Sequence, residues 1–277
     1  MSITFNAIDH SYNSINTEGI DWISVTTLVS HFKKSFDAKK VAEKVSKNKK
    51  SKWYGISPDE IQNIWNAEST RATTLGTYYH NQRESDLCAL ASIEREGFTI
   101  PIFSPLPEKD GIKYASIQKL EPGVYPEHMM YLKSVGICGQ SDLVEIVNGK
   151  VNIIDYKTNK EIKTESYTDW EGKSDKLLPP LDNLDDCNFN HYALQLSIYM
   201  YIILKHNPKL LPGTIYIHHI TFETDGKDNW GYPIAKKDDN GDPIVKDVTP
   251  IPVPYLYDEV IAVINHIKES PIFIKKK

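Results

Sequence analysis

The segment Gly139-Gln140-Ser141-Asp142-Leu143-Val144-Glu145-Ile146-Val147-Asn148-Gly149-Lys150-Val151-Asn152-Ile153-Ile154-Asp155-Tyr156-Lys157 sets an Asn-Gly pair between two β-rich runs. Asn-Gly in that setting is the strongest short hairpin signal and favours a two-residue type I′ turn. With Asn148-Gly149 as the turn, Val147 faces Lys150, Ile146 faces Val151, Val144 faces Ile153 and Asp142 faces Asp155. Alternation then predicts one shared face for Asp142, Val144, Ile146, Val151, Ile153 and Asp155. That face is apolar except for the two aspartates at its far end, whose Cβ atoms would lie roughly 4.5–5.5 Å apart. Two like charges at that spacing beside apolar side chains are unfavourable. A divalent cation reverses the sign, and hard cations such as Mg²⁺ are held by one or two carboxylates with waters. Lys157, two residues beyond Asp155, points to the same side and offers an ammonium to a water or a phosphate oxygen. The competing reading is an exposed strand end whose aspartates merely mark turns.

Outward from this hairpin, strands are expected near 125–134, 138–147 and 151–157. Residues 3–29 read as a small β element entering a helix that Ser24 or Thr26 caps and that carries Leu28, Val29 and Phe32. Ser57-Pro58-Asp59-Glu60 is a helix start with a capping box and Pro at the first position. Helix is predicted over 58–68 and again over 71–95. Residues 97–123 are Pro-rich and read as irregular. The polar stretch 160–188 reads as a loop, 189–206 as a helix, 213–222 as a strand, 224–248 as an exposed hairpin and 256–269 as a final helix. This order predicts a mixed α/β fold.

Of 277 residues, 25% are charged and 40% hydrophobic, which excludes wholesale disorder and a fibrous fold. No apolar run approaches the ~18 residues of a membrane span. Met1 to Asp9 lack a basic segment followed by an apolar stretch, so no secretory signal and a cytoplasmic location are expected. Cys88, Cys138 and Cys187 are odd in number and widely spaced, fitting neither a disulfide framework nor a CxxC metal site. The net charge of −5 excludes a globally basic nucleic-acid binder. An anionic partner would need a local patch or a metal. The stretch 33–52 supplies such a patch, with nine lysines against Asp37 and Glu43. Lys47, Lys49, Lys50 and Lys52 would neutralise phosphates, and Trp53 and Tyr54 would stack on bases. A solvated helix face beside two core aromatics fits the same residues. Lys275 to Lys277 read as a solvated tail.

Gly139-x-x-Asp142, Ile153-Ile154-Asp155-Tyr156-Lys157-Thr158 and Gln195-x-x-x-Tyr199, taken in order, resemble the PD-(D/E)XK nuclease superfamily, closest to its RecB-like exonuclease branch. Gly76-Thr77-Tyr78-Tyr79-His80 resembles the upstream Gly-x-x-x-His motif of that branch. Ile23-Ser24-Val25-Thr26-Thr27-Leu28, preceded by His10-Ser11-Tyr12, is similar to the start of phage exonucleases and of the mitochondrial genome maintenance exonuclease. The resemblance covers about residues 10–222. It implies a restriction-endonuclease-like core, with a central mixed β-sheet flanked by helices and an N-terminal β/helical extension. Residues 1–70 would form an N-terminal β-hairpin and helical DNA-contacting region. Residues 71–277 would form the nuclease core, with polar insertions near 160–188 and 224–248.

The resemblance also implies Mg²⁺- or Mn²⁺-dependent hydrolysis of phosphodiester bonds. His80, Asp142, Asp155 and the Tyr156 carbonyl would be metal ligands, and Lys157 would orient the attacking water. Gln195 and Tyr199, at i and i+4 on one helix face, would lie near the site, as would the strand residue Glu127. From its position alone, Glu84, one turn beyond His80, fits an acceptor that orients its ring and fits a surface carboxylate equally. On their own, His80 fits an ordinary helix histidine, and Gln195 with Tyr199 a surface pair. Three unclustered cysteines predict no iron–sulfur cluster, and the lack of GxxxxGK[ST] predicts no fused helicase engine. The expected partner is DNA, as ends or single strands, with a separate recombinase, single-strand-binding protein or helicase alongside and no membrane. The role would be recombination, replication or repair in a bacterial or phage-infected cell. A structure-specific endonuclease of the same superfamily, or a non-catalytic DNA-binding protein on a degenerate nuclease fold, are the alternatives.

Overall fold

The computed structural model describes residues 2–6, 11–15, 20–115, 117–168 and 171–270, so His10 and Lys275 to Lys277 lie outside the described residues. The elements in chain order are β1 (Ser2–Asn6), β2 (Ser11–Ile15), β3 (Ile23–Ser24), α1 (Val25–Ser30), α2 (Ala38–Lys47), α3 (Pro58–Cys88), β4 (Ser92–Arg95), β5 (Phe98–Pro101), β6 (Ile112–Tyr114), β7 (Gly123–Leu132), β8 (Ile137–Val147), β9 (Lys150–Lys157), α4 (Asn188–His206), β10 (Leu211–Phe222), β11 (Thr224–Lys227), β12 (Pro233–Ala235), β13 (Val245–Pro252) and α5 (Tyr257–Glu269).

Capping follows the sequence signals. Ser24 Oγ accepts from Thr27 N at 3.0 Å and Ser57 Oγ from Glu60 N at 3.2 Å. The two helices expected at 58–68 and 71–95 are one. Residues 68–71 contain no Gly or Pro, and Glu68 and Arg71, i and i+3, form an ion pair across that span. The helix stops at Cys88, and residues expected to be helical become β4, paired with β5 around Glu96-Gly97. The stretch read as irregular therefore holds two strands, β5 and β6.

The main sheet is mixed and flanked by helices. Its path is β13-β10-β9-β8, with β7 along the outer edge of β8, and β10 runs parallel to β9 through the α4 crossover. One face packs on α1, α4 and α5 through Val25, Leu28, Val144, Ile146, Val151, Ile153, Ile198, Ile202 and Val263. The other face meets α3 and the β4–β5 hairpin through Leu87, Ile100, Leu143 and Val147. It also meets the small sheet β2-β1-β6 through Ile3, Met129, Tyr131 and Cys138. Among the described residues no helix is long and apolar enough to cross a membrane.

The Asn148-Gly149 turn forms with both residues at positive φ (50° and 72°), and the pairs Val147–Lys150, Ile146–Val151 and Val144–Ile153 are as predicted. The ladder between β8 and β9 ends at Leu143–Ile154. Beyond it β9 stays with β10, pairing Asp155 with Ile217 and Lys157 with His219, while β3 takes the vacated edge of β8 at Ile137 and Cys138. The sheet thus opens along residues 139–142.

Alternation slips by one residue at the same place in both β7 and β8. In β7, Tyr125 faces the α4 layer, yet so does Met130, while Met129 faces away. In β8, Ile137 faces α4, yet so do Val144 and Ile146. The residues at the slip are Glu127, at φ 48°, and Asp142; the ladder pairs Pro126 with Leu143 and His128 with Ser141 and leaves these two out. A paired irregularity of this kind re-aims side chains. Asp142 therefore does not share the face of Val144 and Ile146, as simple alternation requires. Its carboxylate turns toward α3.

Tyr199 of α4 fills the opening. It is 2% exposed, and a Cβ on Gly139 would lie 2.6 Å from its Cε1 and 3.1 Å from its hydroxyl. Gly139→Ala is expected to cost about 1–3 kcal/mol in denaturant unfolding, as overpacking does. A Tyr199→Leu background should absorb most of that loss. Strictly additive effects of the two substitutions would contradict the contact.

Candidate metal centre

Four elements bring the charged residues together. Tyr79 of α3 packs edge-on against Tyr156 of β9, with ring centroids 5.4 Å apart. One turn earlier, a Cβ on Gly76 would come 3.1 Å from Thr158 Oγ1, so the absence of a side chain there lets α3 close on the end of β9. His80 then reaches over the sheet opening. Its Nδ1 lies 3.3 Å from Asp142 Oδ1 and its Nε2 3.1 Å from the Tyr156 carbonyl oxygen. Asp142 Oδ2 accepts from Tyr156 N at 2.7 Å, taking the amide that β8 no longer pairs. Glu127 Oε2 accepts a short hydrogen bond from Gln140 Nε2.

Ligand atoms of His80, Glu127 and Asp142 lie within 4.8 Å of one another. Asp155 is outside that mutual group but joins it electrostatically. It is 2% exposed and forms an ion pair with Lys157 Nζ at 2.5 Å. Its Oδ2 nevertheless has no aligned hydrogen bond. Lys157 Nζ also lies 4.9 Å from the ring centroid of Tyr192. The centre opens on both sides. A cleft of about 500 Å³ is lined by Thr73, Thr77, His80, Tyr156 and Lys157. A second, of about 400 Å³, is lined by Asn81, Glu84, Lys113, Glu127 and Gln140.

Both ring nitrogens of His80 face acceptors, so the imidazolium form satisfies both. Burial works against that charge. The hydrogen bond and charge of Asp142, helped by Glu127 and Asp155, outweigh it and raise the pKa to about 9. Burial, then the Asp142 charge, pushes Glu127 up to about 8. Burial raises Asp155 to about 6 against the pull of Lys157. Asp142 stays below its ordinary value: burial opposes this, but His80, Lys157 and the Tyr156 amide prevail. Lys157 is held protonated by Asp155 and Asp142 despite its burial.

This donor set suits a hard cation. Carboxylates and a carbonyl suit Mg²⁺ and Mn²⁺. The imidazolium bridges Asp142 and the Tyr156 carbonyl.

Of the residues singled out in the sequence, His80, Glu127, Asp142, Asp155, Tyr156 and Lys157 converge here. Gln195 and Tyr199 serve behind them: Gln195 Nε2 donates to Tyr199 Oη at 3.2 Å, and Tyr199 seats on Gly139. Glu84 does not take a His80 nitrogen, since both have other partners; it lines the second cleft beside Glu127. Gln140, the partner of Glu127, carried no sequence signal beyond its place between Gly139 and Asp142.

The aromatic part of the basic patch is corrected. Trp53 is 7% exposed, stacked on Trp230 at 5.6 Å and edge-on to Trp65 at 6.0 Å, so it is a core residue and no platform for bases. Lys52 lies over the rings of Trp53 and Tyr232 and donates to the Trp230 carbonyl at 2.7 Å. Lys47, Lys49, Lys50 and Tyr54 are exposed. Trp65, which anchors this cluster, precedes His80 by roughly 22 Å along α3.

No family model and no curated protein matches the chain. Among solved structures, the crystal structure of SSO0001 is similar over 96% of this chain and 81% of its own, at 15% identity and a TM-score of 0.33. At that score it carries no argument about fold or function.

Two outcomes follow from this geometry. His80 moves from 6.5 to about 9 and Glu127 from 4.5 to about 8, so the folded state binds the extra protons. Stability is then fully present below the unfolded value of each group and is lost as pH rises through its folded value. In EDTA, the melting temperature should fall between about pH 4.5 and 9, and stabilisation by Mg²⁺ or Mn²⁺ should grow over the same range. A flat or rising profile in EDTA would contradict the cluster. Separately, Trp53→Ala should cost about 3 kcal/mol or more in unfolding free energy. Tyr54→Ala should stay within about 0.5 kcal/mol.

Proposed function

We propose that this protein is a Mg²⁺- or Mn²⁺-dependent deoxyribonuclease of the RecB-like PD-(D/E)XK kind, built on a restriction-endonuclease-like core. It acts as an exonuclease on DNA ends or single strands, in recombination, replication or repair. The observation that carries this reading is the convergence of His80, Glu127 and Asp142 within 4.8 Å of one another, beside the Asp155–Lys157 pair, where the sheet opens. A candidate hard-cation donor set and a buried ammonium side by side at a cleft support metal-assisted phosphodiester hydrolysis.

His80, Glu127, Asp142, Asp155 and the Tyr156 carbonyl would hold the cation. When bound, it lowers the pKa of a water and neutralises a phosphoryl oxygen. Lys157 lines the first cleft and remains protonated, so it can orient that water and stabilise charge that grows on the phosphate. The hydroxyls of Thr73 and Thr77 along the same cleft can meet the sugar–phosphate backbone. The surface lysines near α2 add sequence-independent, salt-sensitive attraction.

The test is cleavage of end-labelled single- and double-stranded DNA and of a closed circle, in Mg²⁺, Mn²⁺ or EDTA. Wild type, Asp155→Ala and Lys157→Ala are compared. Metal-dependent loss of linear DNA that spares the circle and drops by at least ~10²-fold in both variants is expected. Cutting of the circle would replace the exonuclease by an endonuclease. No cleavage by folded, metal-loaded protein would leave a DNA-binding protein on a degenerate nuclease fold.

A further inference from the structure

We infer that Tyr192 is the positioning residue for Lys157, its ring acting as a fixed platform that holds the ammonium at the edge of the cleft. The inference rests on the nuclease reading above. Lys157 has a flexible four-carbon stem ending in a compact charge with three rotatable donors. Its ion pair with Asp155, at 2.5 Å, is one constraint. One ion pair leaves the ammonium free to swing around the carboxylate. The Tyr192 ring, 4.9 Å from Nζ, is a second constraint from another direction.

The ring is itself held. Tyr192 Oη donates to Asn159 Oδ1 at 2.8 Å, and the Asn159 carbonyl accepts from His219 Nε2 at 2.6 Å. The turn after β9 is thereby tied to both α4 and β10. Tyr192, Gln195 and Tyr199 follow one another at i, i+3 and i+7, a single helix face. At one end of that face Tyr199 rests on Gly139 of β8, and at the other Tyr192 underlies Lys157 of β9. One face of α4 therefore sets the spacing of the two parted strands and the place of the ammonium together.

The second constraint matters because the first is shared. Asp155 is also a proposed cation ligand, and a cation on its carboxylate weakens its hold on Lys157. The Tyr192 ring is a neutral partner whose attraction does not change when Asp155 is engaged. It keeps Lys157 in place in the state that reacts.

The test compares wild type with Tyr192→Phe and Tyr192→Leu in the full chain. First, the metal-free proteins carry ¹³C-labelled lysine and are read by NMR, with the Lys157 resonance assigned through its loss in Lys157→Arg. A ring face beneath the ammonium shifts the Lys157 Hε signal upfield. That shift is expected in wild type and Tyr192→Phe and absent in Tyr192→Leu. Second, cleavage kinetics are measured with Mg²⁺. Tyr192→Phe should keep kcat within about threefold, and Tyr192→Leu should lose ~10- to 100-fold in kcat with KM unchanged. An unshifted Lys157 signal in wild type overturns the inference, even where Tyr192→Leu fails to fold. So does a Tyr192→Leu variant with wild-type kcat. A wild type that cuts no DNA removes the nuclease reading and the kinetic role with it, while the NMR shift still decides whether the ring holds the ammonium.

Discussion

The structure around the charged centre depends on one hydrogen bond, from the Tyr156 amide to Asp142 Oδ2 at 2.7 Å. Where β9 leaves β8 after Leu143–Ile154, a buried amide loses its ladder partner. An unpaired amide of that kind is costly, so the parting is sustained only if another acceptor arrives. The Asp142 carboxylate is that acceptor, and it can reach because the alternation of β8 slips at that residue. The same opening makes room for His80 from α3 on one side and for Tyr199 from α4 on the other. Gly76 and Gly139 are small because both helices come close there.

The electrostatics follow from that geometry. Glu127, Asp142 and Asp155 stand around one opening with Lys157 and His80 as the balancing charges. Protons relieve the crowding: His80 holds one to about pH 9 and Glu127 one to about pH 8.

The hairpin was legible because Asn-Gly dictates a turn and β-branched runs dictate strands, and the register held through Leu143. The two aspartates, His80 and Lys157 were legible through motif order. The facing of Asp142 was not, because alternation arguments assume an unbroken strand, and the paired slip at Glu127 and Asp142 is a tertiary event. Glu127 carries positive φ without being Gly or Asn, and no local signal announces that. The burial of Trp53 is hidden in the sequence for another reason. Beside a lysine run it fits a base platform, but its ring partner Trp230 is far along the chain, and only folding brings the two together. The role of α4 was half visible: Gln195 and Tyr199 stand out as a pair, while Tyr192 is marked only by sharing their face.

The proposed function places a cation at His80, Glu127 and Asp142, between the parted strands and α3. The most direct measurement is a crystal structure grown with Mn²⁺, using the anomalous signal to locate the ion. One strong peak is expected within coordinating distance of the Asp142 carboxylate, with the His80 ring turned from its bridge between Asp142 and the Tyr156 carbonyl to ligate it. A protein that binds Mn²⁺ elsewhere, or a vacant centre with His80 still bridging at saturating metal, would contradict it.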